Sequence, residues 1–289
     1  MQNSDARPIV KLKLDVIFKR VFGNENNKAI IAAFLSALLE IPKDSIEEIY
    51  INNVELAPEY LEQKFSRLDL RLDVDGRKVN VEMQVNYEPD FQERTLFYWS
   101  KMFSEELRSG DEYGDLRRTV CINIINFDLF GCEDYHSHFK VMESARHEVL
   151  SDKFAIHFFE LKKLDNVRKN KAMEDWLHLI NAETEAELME IQQATAIPEV
   201  KDTIVMLRQL SADEKVRQEA YYREKRLHDE ATALGHARRE GLRDGLEQGL
   251  QQGLQQGLQQ GLRRRDQELT EKWRKMGMSE EEIKELLGV

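Results

Sequence analysis

The chain contains 289 residues with a net charge of −12; 41% of its residues are hydrophobic and 33% are charged. This composition is typical of one large globular domain or two modest ones. Mean hydropathy is −0.59, and no run of about 18 apolar residues occurs, which predicts no membrane-spanning helix. The N-terminus lacks the apolar segment of a secretory signal, and two cysteines without a Cys-x-x-Cys motif are typical of a reducing compartment. We therefore expect a cytoplasmic protein, whose net acidity argues against nucleic acid as its partner.

Residues 1–165 alternate between helical and strand patterns, which is typical of a mixed α/β domain. Apolar residues at helical spacing predict two helices between Asp15 and Leu39, separated at Gly23 and Asn24. A third helix is predicted over 91–107. Strands are predicted at 46–56, 119–127 and 154–161, in addition to a hairpin over 67–87.

From residue 166 onward the strand patterns stop. Residues 166–240 predict a helical region, and 241–264 repeat a four-residue unit that begins with Gly-Leu. Because each glycine costs a helix about 1 kcal/mol relative to alanine, a helix of this sequence is weak alone. The repeat is interpreted either as a passive spacer or as a seam between two copies, and we expect a homo-oligomer. Residues 265–289 predict a small helical hairpin, in which Ser279 and Glu282 cap the second helix.

The predicted hairpin over 67–87 is the most informative segment. Asp75 and Gly76, between two alternating runs, predict a two-residue turn. This turn sets a register in which Asp69 lies directly opposite Glu82 on the polar face of the hairpin. Two opposed carboxylates destabilise a sheet by roughly 0.2–1 kcal/mol, and a divalent cation between them would remove the repulsion. The alternative interpretation is a solvated charged face that Arg71 and Lys78 balance.

The order of Asp69 followed by Glu82-Met83-Gln84 resembles the metal-binding Asp…Glu-x-Lys core of the PD-(D/E)XK nuclease superfamily. Three longer segments, at 14–28, 75–84 and 94–113, together with FFELKKL at 158–164, resemble the bacterial recombination-promoting nucleases, a transposase-like branch of that superfamily. The resemblance covers roughly residues 10–165. The glycine-rich repeat and short helical tail are similar to this family's variable C-terminus.

The resemblance implies a restriction-endonuclease-like α/β core, with a central mixed sheet flanked by helices, followed by an all-helical arm. It implies Asp69, Glu82 and Gln84 as metal ligands, with Mg²⁺ expected first and Mn²⁺ or Ca²⁺ as alternatives. Asp15 is implied as a further catalytic acid, although it also suits the N-terminal dipole of its helix. Gln84 occupies the position of the motif lysine, so the positive charge must come from elsewhere. The residues considered as phosphate contacts are Arg71, Lys78, Arg94 and Lys101, with Lys64 as a further source of charge.

The implied activity is metal-dependent cleavage of DNA that promotes recombination. The alternative is a catalytically inactive protein of the same fold that acts through its helical arm. Basic residues between 215 and 275 are the expected contacts to DNA phosphates. Two other motifs are interpreted without a function: 132–138 as a surface loop, and His157 as a half-buried side chain with its hydrogen bonds satisfied.

Overall fold

The computed structural model describes residues 8–52, 70–105, 107, 110–164 and 170–287. Contacts between residues divide the chain into two units, 1–228 and 229–289. The first unit contains the whole sheet and the candidate site.

Within the described residues, six strands form one mixed sheet: β1 (Ile49–Ile51), β2 (Leu70–Val74), β3 (Arg77–Gln84), β4 (Thr119–Ile125), β5 (His136–Phe139) and β6 (Phe154–Glu160). Their order across the sheet is β1-β2-β3-β4-β6-β5. β3 and β6 both pair parallel with β4, and the other neighbours are antiparallel. All seven residues of β4 are buried because the sheet is covered on both faces. The predicted α/β class is therefore confirmed.

The edge strand β5 was not predicted. It overlaps the segment 132–138 that is interpreted as a surface loop, and it pairs antiparallel with β6. Its sequence, His-Ser-His-Phe, has little strand propensity, so its conformation depends on hydrogen bonds to β6. His157 on β6 also differs from expectation, because it is only 5% exposed and its Nε2 has no hydrogen-bond partner within the described parts of the chain.

One face of the sheet packs against a layer of helices. The two predicted N-terminal helices are confirmed, and they join three helices that follow residue 165 in the same hydrophobic core. Aromatic rings link them: the Trp176 ring centroid lies 6.0 Å from that of Phe22 and 5.5 Å from that of Phe34. The helices are α1 (Asp15–Phe22), α2 (Lys28–Leu39), α4 (Lys171–Asn181), α5 (Glu185–Ala194) and α6 (Pro198–Ala212), and the crossover helix between β3 and β4 is α3 (Phe91–Ser104).

The crossover helix α3 covers the other face of the sheet. Phe91 packs with Cys121, Ile125 and Phe158 in a second, smaller cluster. Trp99 fixes the helix further, because its Nε1 donates a hydrogen bond to the carbonyl of Thr119 at 2.9 Å. The polar side chains of β3 therefore lie beneath a helix and are largely shielded from solvent.

The last two helices are α7 (Glu214–Lys275) and α8 (Glu280–Leu287). In the first unit, Val216 and Ala220 of α7 are buried. In the second unit, the repeat is helical and its leucines are exposed, from 43% at Leu262 to 75% at Leu242. The predicted capping box is confirmed, since the side chain of Ser279 and that of Glu282 each accept from the other residue's backbone N–H. No helix in the described ranges is long and apolar enough to cross a membrane.

Candidate active site

The β2–β3 hairpin has the predicted register. Asp73 pairs with Lys78 and Leu70 pairs with Val81. Asp75 and Gly76 form the turn with φ angles of 47° and 73°, the left-handed geometry that a two-residue turn between twisted strands requires. The predicted metal ligand Asp69 and the predicted source of charge Lys64 both lie outside the described residues. The described hairpin therefore provides Glu82 and Gln84 from the predicted ligand set.

A row of buried polar residues surrounds Glu82. Glu82 is 5% exposed, Asn80 and Asn123 are each 1% exposed, and Thr95 of α3 is 4% exposed. Asn123 on β4 is the register partner of Glu82. The interpretation of this face as solvated is therefore wrong for Asn80 and Glu82.

Hydrogen bonds within the row leave the amide oxygen of Asn80 available beside the carboxylate. The Nδ2 of Asn80 donates to Oε1 of Glu82 over 3.4 Å, and the Oδ1 of Asn80 has no donor within the described part of the chain. Burial and the nearby Glu82 carboxylate raise the pKa of the Cys121 thiol, which therefore stays protonated. Asn123 donates from Nδ2 to the carbonyl of His157 at 3.1 Å, and this bond holds β4 to β6 beside the row.

Arg94 lies beside the position of the motif lysine. Its Nη2 donates to Oε1 of Gln84 at 3.0 Å, and its Nη1 pairs with the carboxylate of Glu88. Gln84 in turn donates from Nε2 to Oε1 of Glu88 at 3.0 Å. The guanidinium also lies 4.9 Å from the ring centroid of Phe91. Gln84 itself is uncharged, and these contacts place a permanent positive charge directly against it.

The other predicted cations and Asp15 have different surroundings. Lys78 forms an ion pair with Asp73 at 2.5 Å, and Arg71 pairs with Glu105 at 2.9 Å. Lys101 lies on α3 and is partly exposed. Asp15 at the start of α1 accepts a hydrogen bond from Nε of Arg223 at 2.6 Å. Of the four predicted phosphate contacts, Arg94 donates a hydrogen bond to Gln84.

The donor chemistry of the row suits a hard divalent cation. The described residues contain no group of three or more His, Cys, Asp or Glu side chains arranged for a metal. The buried Glu82 carboxylate and the unpartnered amide oxygen of Asn80 are oxygen donors of the kind that Mg²⁺ prefers, and they do not suit zinc. The residues present therefore fit such an ion.

Sequence patterns do not predict Asn80, Thr95 or Asn123 as members of the site. A signal for Asn123 is present, since it interrupts the apolar strand Thr119–Ile125. A buried amide in an apolar strand requires hydrogen-bond partners, and this requirement points to a polar neighbour across the sheet. Thr95 has no comparable signal, because its burial depends on how α3 packs.

Among known protein families, a model of the family described as PD-(D/E)XK nuclease family transposase matches residues 12–237 of the chain. The matched range contains the entire sheet, helices α1–α6 and the start of α7. No curated protein and no solved structure gives a significant match to the chain.

Proposed function

Since the chain belongs to the PD-(D/E)XK nuclease family of transposases, we propose that it is a metal-dependent endonuclease that cleaves DNA and promotes recombination. The observation that carries the proposal is the Glu82 carboxylate, buried at 5% exposure on the hairpin whose sequence resembles the superfamily motif. Burying a carboxylate costs free energy that nearby positive charge offsets. A bound divalent cation would contribute to that offset.

The proposed metal ligands are Asp69, Glu82 and the region of Gln84. The register that pairs Leu70 with Val81, continued by one pair, would place Asp69 opposite Glu82. A bound divalent ion, Mg²⁺ first and Mn²⁺ or Ca²⁺ as alternatives, would lower the pKa of a water molecule and stabilise negative charge on the scissile phosphate. Asp15 remains a predicted contributor, and its bond to Arg223 holds it in place.

Arg94 is proposed to supply the positive charge that the motif lysine would otherwise provide. Its contact with Gln84 Oε1 supports this role, because a guanidinium beside the metal ligands can bind two phosphate oxygens at once. Glu88 pairs with Arg94. A phosphate would compete with Glu88 for the same guanidinium.

The exposed basic residues of α7 are proposed to contact DNA, and its exposed leucine stripe is proposed to join two copies. Pairing two nuclease domains would allow both DNA strands to be cut. The proposal places this reaction in the cytoplasm, where Cys121 and Cys132, both free, would stay reduced.

The test is plasmid nicking by the purified full chain with Mg²⁺, Mn²⁺ or Ca²⁺ in separate reactions. We expect Glu82→Gln and Asp69→Asn to abolish metal-dependent nicking. The matched control is Glu93→Gln, which removes a charge from an exposed glutamate on α3 and should retain full activity. Full activity of Glu82→Gln would refute the site. No cleavage by the unaltered chain with any of the three metals would favour the inactive interaction protein, for which the exposed leucines of α7 are the supporting observation.

A further inference from the structure

A cavity of about 320 Å³ lies on the face of the sheet opposite to Glu82. Successive residues of a strand point to opposite faces. Asn123 shares the face of its register partner Glu82, whereas its neighbour Ile122 pairs with His157. His157 therefore faces away from the candidate active site. The C-terminal end of α2, including Leu38 and Leu39, also lines this cavity.

Three cationic side chains line this cavity: Arg77, Arg118 and Lys140. No ion pair joins any of them to a carboxylate in the described ranges of the chain, and the Nε of Arg118 is buried without a hydrogen-bond acceptor there. Among the described residues that line the cavity, only Glu40 carries a carboxylate, and this side chain is exposed and accepts a hydrogen bond from Asn170. An unpaired guanidinium nitrogen removed from water is unfavourable unless an acceptor reaches it.

Three histidines add hydrogen-bonding groups to the same cavity. His136 Nε2 and His157 Nδ1 are 3.0 Å apart, and the ring centroids of His138 and His157 are 4.0 Å apart. Nε2 of His157 has no partner within the described segments. Burial lowers the pKa of all three imidazoles, that of His157 to about 3. The rings are therefore neutral at pH 7, and the fixed positive charge comes from the arginines and Lys140.

We propose that this cavity binds a phosphate dianion, either free or as part of a small monoester. Arginine is the side chain best suited to bind phosphate oxygens in pairs, and neutral imidazoles can donate further hydrogen bonds to them. The volume is at the lower end of the range for small-molecule pockets, which fits a mononucleotide or a free phosphate but not a folded partner. The apolar side chains of Leu38, Leu39 and Val120 provide a surface for the organic part of the ligand. The proposal does not depend on nuclease activity.

The test is isothermal titration of the full chain, without divalent metal, using two anionic probes: inorganic phosphate and deoxyadenosine 5′-monophosphate. Deoxyadenosine is the uncharged control. We expect both anions to bind and deoxyadenosine not to bind. Tighter binding of the nucleotide than of inorganic phosphate identifies an organic phosphate as the ligand, and equal binding identifies free phosphate. Absence of binding by both anions, or equal binding by deoxyadenosine, overturns the proposal.

Two variants locate the bound anion. Loss of a charge-assisted hydrogen bond weakens binding by about tenfold or more, so Arg118→Gln should raise the Kd by at least that factor. Arg146→Gln is the matched control, because it removes the same charge from an exposed side chain outside the cavity, and it should leave the Kd unchanged. Lys140→Gln, at an exposed position, should weaken binding without any effect on folding.

Two further measurements separate the outcomes. Glu82→Gln should bind both anions like the unaltered chain, since its carboxylate lies on the other face. Addition of phosphate should shift the imidazole ¹H–¹⁵N resonances of the unaltered chain. Unchanged affinity in both Arg118→Gln and Lys140→Gln, or loss of affinity in Glu82→Gln, would show that the anion binds elsewhere and would overturn the proposal.

Discussion

Lowering the pH should destabilise the first unit, and His157 should account for a measurable part of the effect. Burial lowers the pKa of His157 from 6.5 to about 3. Below pH 6.5 the unfolded chain binds a proton at this residue, whereas the folded chain does not until the pH approaches 3. The contribution of His157 to the free energy of unfolding is therefore fully present well above pH 6.5, and it decreases as the pH falls from about 6.5 towards 3.

The size of the effect follows from the difference between the two pKa values. Between about pH 7.5 and pH 5.5 the unfolded state gains nearly one proton at His157, which corresponds to a loss of about 1.4 kcal/mol in the free energy of unfolding. His136 and His138 have pKa values shifted in the same direction, so the total decrease should be larger. The contribution of His157 is isolated by comparing the unaltered chain with His157→Leu at both pH values.

The assay is urea unfolding followed by tryptophan fluorescence, in a buffer without phosphate. Trp99 and Trp176 both lie in the first unit, and Trp176 is fully buried, so the signal reports mainly on that unit. We expect His157→Leu to lose about 1.4 kcal/mol less than the unaltered chain over this pH interval. An identical pH dependence in both proteins would show that His157 does not couple folding to proton binding.

The remaining predictions concern the candidate site and the arm. Arg94→Gln should lower kcat for DNA cleavage by about tenfold or more, because the phosphate would no longer accept a charge-assisted hydrogen bond from the guanidinium. Arg94→Lys should restore part of the lost rate. Equal rates in the unaltered chain and both variants would contradict the proposed contact between Arg94 and the phosphate. Truncation after residue 228 should reduce the salt dependence of DNA binding by a slope of about 0.9 for each phosphate that residues 229–289 neutralise in the full chain, and an unchanged slope would show that these residues do not touch DNA. Deletion of 241–264 should convert a dimer to a monomer in light scattering, whereas equal monomeric masses would leave the repeat as a spacer.

The sequence predicts those elements whose signals are local. The turn at Asp75 and Gly76 sets the hairpin register, and apolar spacing defines α1 and α2; each depends only on residues close in the chain. The burial of Glu82 could not be predicted in this way, because it depends on α3 packing over the sheet. The same holds for β5, whose polar sequence forms a strand only beside β6. The packing of α4–α6 could not be predicted either. The sequence indicates a separate helical region after residue 165, whereas these helices pack into the same core as α1 and α2.

The contact of Trp176 with Phe22 and Phe34 has a consequence for synthesis of the protein on the ribosome. The two phenylalanines belong to helices that are synthesised before α4, and Trp176 follows them by more than one hundred residues. At a translation rate of roughly 5–20 residues per second, Trp176 is synthesised on the order of ten seconds after α1 and α2. Until then, the apolar surfaces of these two helices lack this packing partner. During that interval the nascent chain exposes surface that other nascent chains or chaperones can bind. Slow translation between α2 and α4 would lengthen this exposure and lower the yield of folded protein.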